Sequence, residues 1–388
     1  MTRTVLTTAV LTLLLGRAAL ADDSGCFVLR LGRDTTSVEC FRRTATSLVI
    51  TQVDRAGQVL TRRFRYELER GSVRHVAFEA TVAGNATPLQ AIDESFAGDS
   101  AHAQLRQGGG PPASVAAAVP RDAIVLTYNC AWSAYELALE RLAQANADSL
   151  RLPLHVIGSK GTTWLSLHRL GRDSVDLLNH HQDHFHVRVD ATGRVLGALP
   201  ISGTGQFSVS REGALDLAAL EAGWAARERA GQGLGTLSPR DTVTASVAGA
   251  SLWIDYGRPS RRGRVIYGGV VPYGAIWRTG ANAATQLRTD RALDFGGTVV
   301  PAGLYSLWTL PAPGGWKLIV NGESGQWGTQ HTASRDLYTI DMKLSALPQA
   351  VERFTIAIEP GPRGGTLNLD WDTTRASAAF EVQPAPKP

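Results

Sequence analysis

The residues best suited to chemistry lie between Trp277 and Thr285. Trp277, Arg278, Asn282 and Thr285 place an indole face, a forked cation, a bidentate amide and a hydroxyl within nine positions, and Gly280 lets the backbone bend between them. Arg and Asn are rarely buried without partners, so this mixture makes a poor core and a good cradle for a polar ligand. Just upstream, Arg258, Arg262 and Arg264 flank a Pro259-Ser260 bend. Guanidinium forks grip carboxylate or phosphate and stack on aromatic faces, which Trp277, Trp308 and Trp327 could supply. The expected ligand-binding residues are therefore Arg258, Arg264, Trp277, Arg278, Asn282, Thr285 and Trp327. They suit a polar or anionic, glycan-like ligand whose ring packs on indole while its rim takes hydrogen bonds. The competing expectation is a loop-pinning network, with Arg278 paired to Asp255 or Asp336 and Asn282 capping a turn.

Other constellations are weaker. Asn179 to His186 holds four of the nine histidines. His184 and His186 fall on one side of a strand, a spacing usable for zinc or copper with His180, His181 or Asp176 as a third ligand. A solvated hairpin explains the same residues without a metal, and none is expected. Asp370 and Asp372 share a strand face, but glycoside hydrolysis would need an opposing carboxylate at the right distance. The chain has no Gly-x-Ser-x-Gly elbow, His-Glu-x-x-His, Cys-x-x-Cys or EF-hand pattern, so it leans away from an enzyme, with a hydrolase, metal-assisted at His184 and His186, kept as an alternative function. Gly231-Gln232-Gly233-Leu234-Gly235 follows a helix where a dinucleotide fingerprint needs a strand, so no cofactor is expected.

The address is export. Met1 to Ala21 reads as a signal peptide: Arg3, an apolar run from Val5 to Leu15, and Ala19-Leu20-Ala21 as a small-x-small cleavage site. No other stretch is apolar enough to span a bilayer, so a periplasmic or secreted protein without a transmembrane segment is expected. In an oxidising compartment Cys26 and Cys40, on consecutive strand-like runs, form the expected disulfide. Cys130 begins a helix and reads either as a reactive thiol or as a small buried apolar residue. The formal charge of +4 falls to +2 without Arg3 and Arg17, and there are only four lysines. Arginines are scattered, which argues against a nucleic-acid partner.

The elements that must position these residues are mostly strands. In the first half, β-rich runs separated by turn signals extend from Cys26 to Val82, with weaker ones at Leu89–Phe96 and Ala101–Gln107 and a flexible loop from Gly108 to Pro120. A helix is expected from about Cys130 to Ala147, capped by Asn129, with Trp132, Tyr135, Leu139 and Leu142 as its apolar stripe. Strands resume from Leu152 to Ser210, and a second helix spans Ala214 to Ala230. The expected domains are a signal peptide at 1–21, a curled antiparallel β domain with a packed helix at 22–230, a linker at 231–237, a β-sandwich at 238–382 and a disordered tail at 383–388.

The first half resembles, in pattern only, the half-barrels of periplasmic lipoprotein carriers. That resemblance implies an apolar cavity and an alternative function as a carrier of an apolar ligand such as a lipid. The other reading of Trp132, Tyr135 and Trp164 is that they pack the interior solid.

In the second half the resemblance rests on motifs. These are Ser238-Pro239-Arg240-Asp241, Asp255-Tyr256-Gly257-Arg258-Pro259-Ser260, Val271-Pro272-Tyr273-Gly274, the Trp277–Asn282 block, Pro301-Ala302-Gly303-Leu304-Tyr305-Ser306 and Gln326-Trp327-Gly328. Together they resemble the bacterial family called domain of unknown function 2911, over about Ser238 to Val382. The resemblance implies an exported β-rich domain and carries no established activity. Recurring short strands with turns between them favour a sandwich independently: Ser251–Tyr256, Thr285–Thr289, Leu304–Leu310, Trp316–Asn321, Leu337–Met342, Arg353–Glu359, Thr366–Trp371 and Ala378–Val382.

Overall fold

The computed structural model describes residues 22–127, 131–179 and 181–384. The expected signal peptide, Cys130 with its Asn129 cap, His180 and the end of the tail lie outside the described residues. The protein is mainly β, with its strands in sheets of fifteen and nine.

The first sheet begins as an antiparallel meander: β1 (Asp23–Leu31), β2 (Asp34–Arg43), β3 (Ser47–Arg55), β4 (Val59–Glu69), β5 (Ser72–Val82), β6 (Gln90–Ala97), β7 (Ser100–Gln107) and β8 (Ala113–Ala118). β8 lies inside the segment expected as a loop. Its alanines carry little β signal, but the free edge of β7 supplies hydrogen-bond partners. The chain then runs through β9 (Ile124–Leu126), α1 (Trp132–Ala145), β10 (Ser149–Val156), β11 (Thr162–Arg169), β12 (Ser174–Asn179), β13 (His184–Val189), β14 (Val195–Ser202) and β15 (Ser208–Glu212). β15 docks antiparallel on β1, so the sheet runs from β8 to β1 and on from β15 to β9. β9 and β10 pair in parallel because α1 carries the chain back between them.

So wide a sheet curls, and α1 fills its hollow. The expected stripe of Trp132, Tyr135, Leu139 and Leu142 is buried, and so are Ser133, Glu136 and Glu140. The sheet wraps the helix, so the polar side chains need partners inside. Glu140 pairs with Arg43 of β2. Glu136 accepts from Val195 N and from Arg211, both at 2.7 Å, and Arg211 reaches Asp23 at 2.7 Å. The helix start is capped from across the sheet, because Ala131 at the N-cap position offers no side-chain acceptor. Glu39 of β2 accepts from Trp132 N at 2.7 Å, Ser133 N at 2.9 Å and the Ser133 hydroxyl. Burial outweighs these bonds and raises the Glu39 carboxyl to about 7, and burial likewise lifts Glu136 to about 7. The β13–β14 turn packs on the helix backbone: Gly193 has φ 92°, and a Cβ there would sit 2.8 Å from Glu140 N. Trp164, expected to fill the interior, lies on the outside beneath the Arg151 guanidinium, 4.6 Å from its ring.

α2 (Leu217–Arg229) covers the outer face of β3 and β4, its first turn held by the Asp216 side chain accepting from Ala219 N. Trp224 packs there with Cys26, Val28, Val38 and Val53. The disulfide joins Cys26 and Cys40, directly paired residues of β1 and β2, as the spacing predicts.

The second sheet comprises β16 (Arg240–Val247), β17 (Ala250–Gly257), β18 (Thr285–Thr289), β19 (Leu293–Asp294), β20 (Val299–Val300), β21 (Gly303–Leu310), β22 (Trp316–Asn321), β23 (Asp336–Pro360) and β24 (Gly364–Val382). β16 shows only Val243, Ala245 and Val247 to the core, too weak an apolar signal to be read in the sequence. β23 and β24 each absorb two expected strands. Register shifts between Ala346 and Thr355 let this long pair bend, so that one hydrogen-bonded sheet folds over itself as a sandwich. Ile254, Tyr256, Phe354, Ile356, Leu369 and Trp371 meet between the layers, and Ile356 N donates to the Tyr256 hydroxyl at 3.1 Å.

Candidate functional site

Loops of the two sheets meet at a seam. Arg33 N donates to Arg262 O at 3.1 Å, and Arg262 pairs with Asp34 at 2.7 Å. The Thr329 hydroxyl donates to His181 O at 3.3 Å. Between these contacts lies a cavity of about 410 Å³. Arg264, Trp277, Arg278, Asn282 and Trp371 line it from one side, the β14–β15 loop from Gly203 to Phe207 from the other, and the connection at Thr236 to Ser238 from a third. Its size falls within the range of small-molecule pockets.

Trp277 is placed by a strap laid on β21: its N–H and C=O exchange 2.8 Å bonds with Thr309. Its indole N–H donates to Gly280 O at 3.1 Å, and its face stacks on Trp371 at 5.9 Å and 17°. The turn after it is strained, since Thr279 and Asn282 adopt φ of 52° and 63°. Thr285 holds that turn: its buried hydroxyl donates to Thr279 O at 2.7 Å. Gly328 comes so close to the Arg278 side chain that any Cβ would overlap Arg278 Cδ.

Arg278 spans the seam, donating to Gly203 O at 2.8 Å and Gly328 O at 3.2 Å, while its buried Nε has no partner among the described residues. Arg264 donates to Ser260 O at 2.6 Å and Arg261 O at 3.1 Å. Neither guanidinium forms an ion pair among the described residues, although Arg258, Arg261 and Arg262 beside them all do. Among the described residues no acidic side chain lines the cavity, although Asp183 lies behind its Gly203–Gly205 wall, accepting from Thr204 N at 2.7 Å and Gly205 N at 2.8 Å. Burial lowers both Arg264 and Arg278 to about 10, with Asp183 offsetting part of the effect on Arg278 through space. The cavity therefore sets two cations without a directly paired carboxylate against an aromatic wall, with Asp183 acting on Arg278 and Glu352 on Arg264 only through space. Asn282 also lines it, and its side chain makes no hydrogen bond among the described residues.

Four expected residues, Arg264, Trp277, Arg278 and Asn282, are thus brought together, and three are not. Arg258 is occupied by Asp241 at 2.7 Å, Thr355 Oγ1 at 3.0 Å and Phe354 O at 3.1 Å. Thr285 is fully buried and acts on the turn. Trp327, 40% exposed, pairs its backbone with Ala283 away from the cavity. Trp308 is buried, with its N–H on Ser306 Oγ. The loop-pinning alternative named the wrong partners: Asp255 binds Arg240 at 2.5 Å, and Asp336 binds His331 at 2.9 Å and Asn321 at 2.7 Å. Sequence reading missed Gly203–Phe207, Thr236–Ser238 and Trp371. Nothing in their local pattern marks them, because they become neighbours only when the two sheets meet.

His184 and His186 flank Asp176 at 3.3 and 3.5 Å. Among the described residues no three His, Cys, Asp or Glu side chains group as a metal site. Asp370 is held by Arg375 at 2.7 Å and Asp372 by Arg261 at 3.2 Å, so both carboxylates are engaged. His155 is buried with Glu94 at 2.9 Å, and its other ring nitrogen contacts Gly161 O at 2.9 Å, which leaves neither nitrogen free to serve Ser159 as a base.

Residues 238–380 match the model of a family described as "Protein of unknown function (DUF2911)". No curated protein matches the chain. A DUF1089-family protein from Pseudomonas aeruginosa is similar at 12% identity and TM-score 0.31, covering 43% of this chain and 90% of that one. A β-barrel-like protein of domain of unknown function DUF1849 from Brucella abortus is similar at 9% identity and TM-score 0.35, covering 50% of this chain and 95% of that one. Likeness at this level carries no argument about function.

Proposed function

We propose that the protein is an exported, periplasmic or secreted binding protein that takes a small polar or anionic ligand, glycan-like acids included, in the cavity at the seam. The observation that carries this reading is the pair of guanidinium groups, Arg264 and Arg278, that line one cavity with no carboxylate ion-paired to either among the described residues. Leaving a buried cation uncompensated costs stability, and a bound oxyanion would recover that cost through charge-assisted hydrogen bonds. Trp277 and Phe207 offer apolar surface to a ring, and the Asn282 amide can read a hydroxyl or carbonyl. The disulfide supports an oxidising compartment, and no helix among the described residues is long and apolar enough to cross a membrane.

Titration calorimetry against neutral sugars, uronates and inorganic phosphate tests the reading. It requires saturable binding of at least one acid, weakened in Arg264→Met. Absence of heat and of any thermal shift for every acid at millimolar concentration refutes it. The alternative, an apolar carrier, has less support, because α1 fills the hollow of the first sheet. The cavity beneath β4–β6 is only about 130 Å³, well under the roughly 300 Å³ at which ligand pockets begin.

A further inference from the structure

The connection between β22 and β23 carries groups that ligand binding alone does not use. Residues 322–335 form it, closed at the base by Gly322 N donating to Arg335 O at 2.9 Å and by the Asn321 amide donating to Thr332 O at 3.0 Å. The closure brings His331 against Asp336. The ring Nε2 lies 2.9 Å from Asp336 Oδ1, which also accepts from Asn321 Nδ2 at 2.7 Å, and the ring packs on Trp308 at 4.8 Å. With Nε2–H donating to the carboxylate, the neutral ring keeps its lone pair at Nδ1. That nitrogen has no hydrogen-bond partner among the described residues, whereas both nitrogens of His155 are engaged.

His331 lines a second cavity, of about 230 Å³, that adjoins the first and shares Gly203, Gln206, Trp277 and Arg278 with it. Its wall mixes apolar side chains with Gln182, Gln206, Thr329, His331 and Arg278. Arg278 also bonds the histidine's own loop, donating to Gly328 O at 3.2 Å. An unpartnered imidazole nitrogen oriented by a carboxylate, with a guanidinium in the same wall, supplies the base and the oxyanion donor of a hydrolytic site.

We infer that the protein hydrolyses a carboxylic ester carried by the acid it binds. This inference rests on the binding function proposed above and adds a reaction to it. The acid group is held at Arg264 and Arg278, and the ester lies beyond Arg278 in the second cavity. His331 Nδ1 takes a proton from water as the water oxygen bonds to the acyl carbon. The carbonyl π pair moves onto its oxygen, and Arg278 stabilises that oxyanion. On collapse the bond to the leaving oxygen breaks, and that oxygen takes the proton from the imidazolium. Ester and water become acid and alcohol, and the histidine is restored. Asp336 is a positioning residue, which fixes the tautomer and steadies the imidazolium.

Acetate release from two matched pairs tests this on the full chain: 4-acetoxybenzoate with phenyl acetate, and O-acetylated glucuronate with glucose pentaacetate. The anionic member of at least one pair is expected to turn over with kcat/KM about tenfold or more above its neutral counterpart. His331→Gln should lower kcat about 10²- to 10⁴-fold, while benzoate and glucuronate keep their wild-type affinities by calorimetry. Asp336→Asn should lower kcat with KM unchanged, and it tests the same pair if the glutamine variant fails to fold. Catalysed release from neither anionic ester while an acid binds, release that favours the neutral esters, or release undiminished in both variants overturns the inference and leaves the binding function standing. Absence of binding by every acid removes both.

Discussion

Replacing Arg278 with Met separates a ligand-binding cation from a structural strap. Burial lowers Arg278 well below the usual guanidinium value, to about 10, a penalty on the charged form of about 3 kcal/mol at about 1.4 kcal/mol per pH unit. Because the lowered value still lies above neutral pH, the side chain is charged and the penalty is present in full under physiological conditions. Against it stand two bonds from a charged donor, to Gly203 O and Gly328 O, each worth about 1.5–3 kcal/mol. Methionine keeps much of the packing, relieves the penalty and forfeits both bonds. The two sides nearly cancel, and a net loss of about 1–2 kcal/mol is expected. Ligand binding has no such compensation. Truncating one partner of a buried charge pair costs about 2–4 kcal/mol, so an acid's affinity should fall roughly 30- to 1,000-fold. Urea unfolding measures the first quantity and calorimetry the second, on the same protein preparation. A stability loss above about 4 kcal/mol with unchanged acid affinity would show that Arg278 is a strap and that the charge argument is wrong.

Other expectations concern the scaffold. Glu39 titrates near 4.5 when unfolded and about 7 when folded. The native state alone therefore holds that proton in between, and its contribution, complete below pH 4.5, is lost as pH rises through 7. The loss amounts to about 3 kcal/mol. Glu136 acts in the same direction, so unfolding free energy should fall across this window and Glu39→Gln should flatten the slope; a wild-type curve that rises instead contradicts the assignment. Reducing the Cys26–Cys40 bond, which spans 14 positions, should cost about 3 kcal/mol by chain entropy, read from the denaturation midpoint with and without reductant. Arg43→Met strands Glu140 inside the curled sheet and should destabilise by about 3–5 kcal/mol, partly restored by adding Glu140→Gln. Gly193→Ala forces a Cβ against the backbone of α1 at a positive φ and should lower the melting temperature, whereas Gly213→Ala, with open space around it, should leave it unchanged.

How far the amino-acid sequence alone determined the protein depends on how local each signal was. Alternation along Leu252–Tyr256 and Phe354–Ile358, turn chemistry, and the apolar stripe of α1 depend on neighbours a few positions away. They specified strands, helices and the cysteine pairing without further information. Four cavity residues were also legible, because Arg and Asn beside Trp are out of place in a core wherever they occur. The rest needed distant partners. That Glu39 caps α1, that β15 closes on β1 and that β23 bends over β17 are contacts between residues far apart in the chain. Tertiary structure also assigned the arginines: Arg258 found a carboxylate and Arg278 found only carbonyls, a distinction set by where Asp241 and Gly203 come to rest. The cavity itself belongs to neither sheet. It exists because two folded surfaces meet imperfectly, and no local pattern records the shape of that gap.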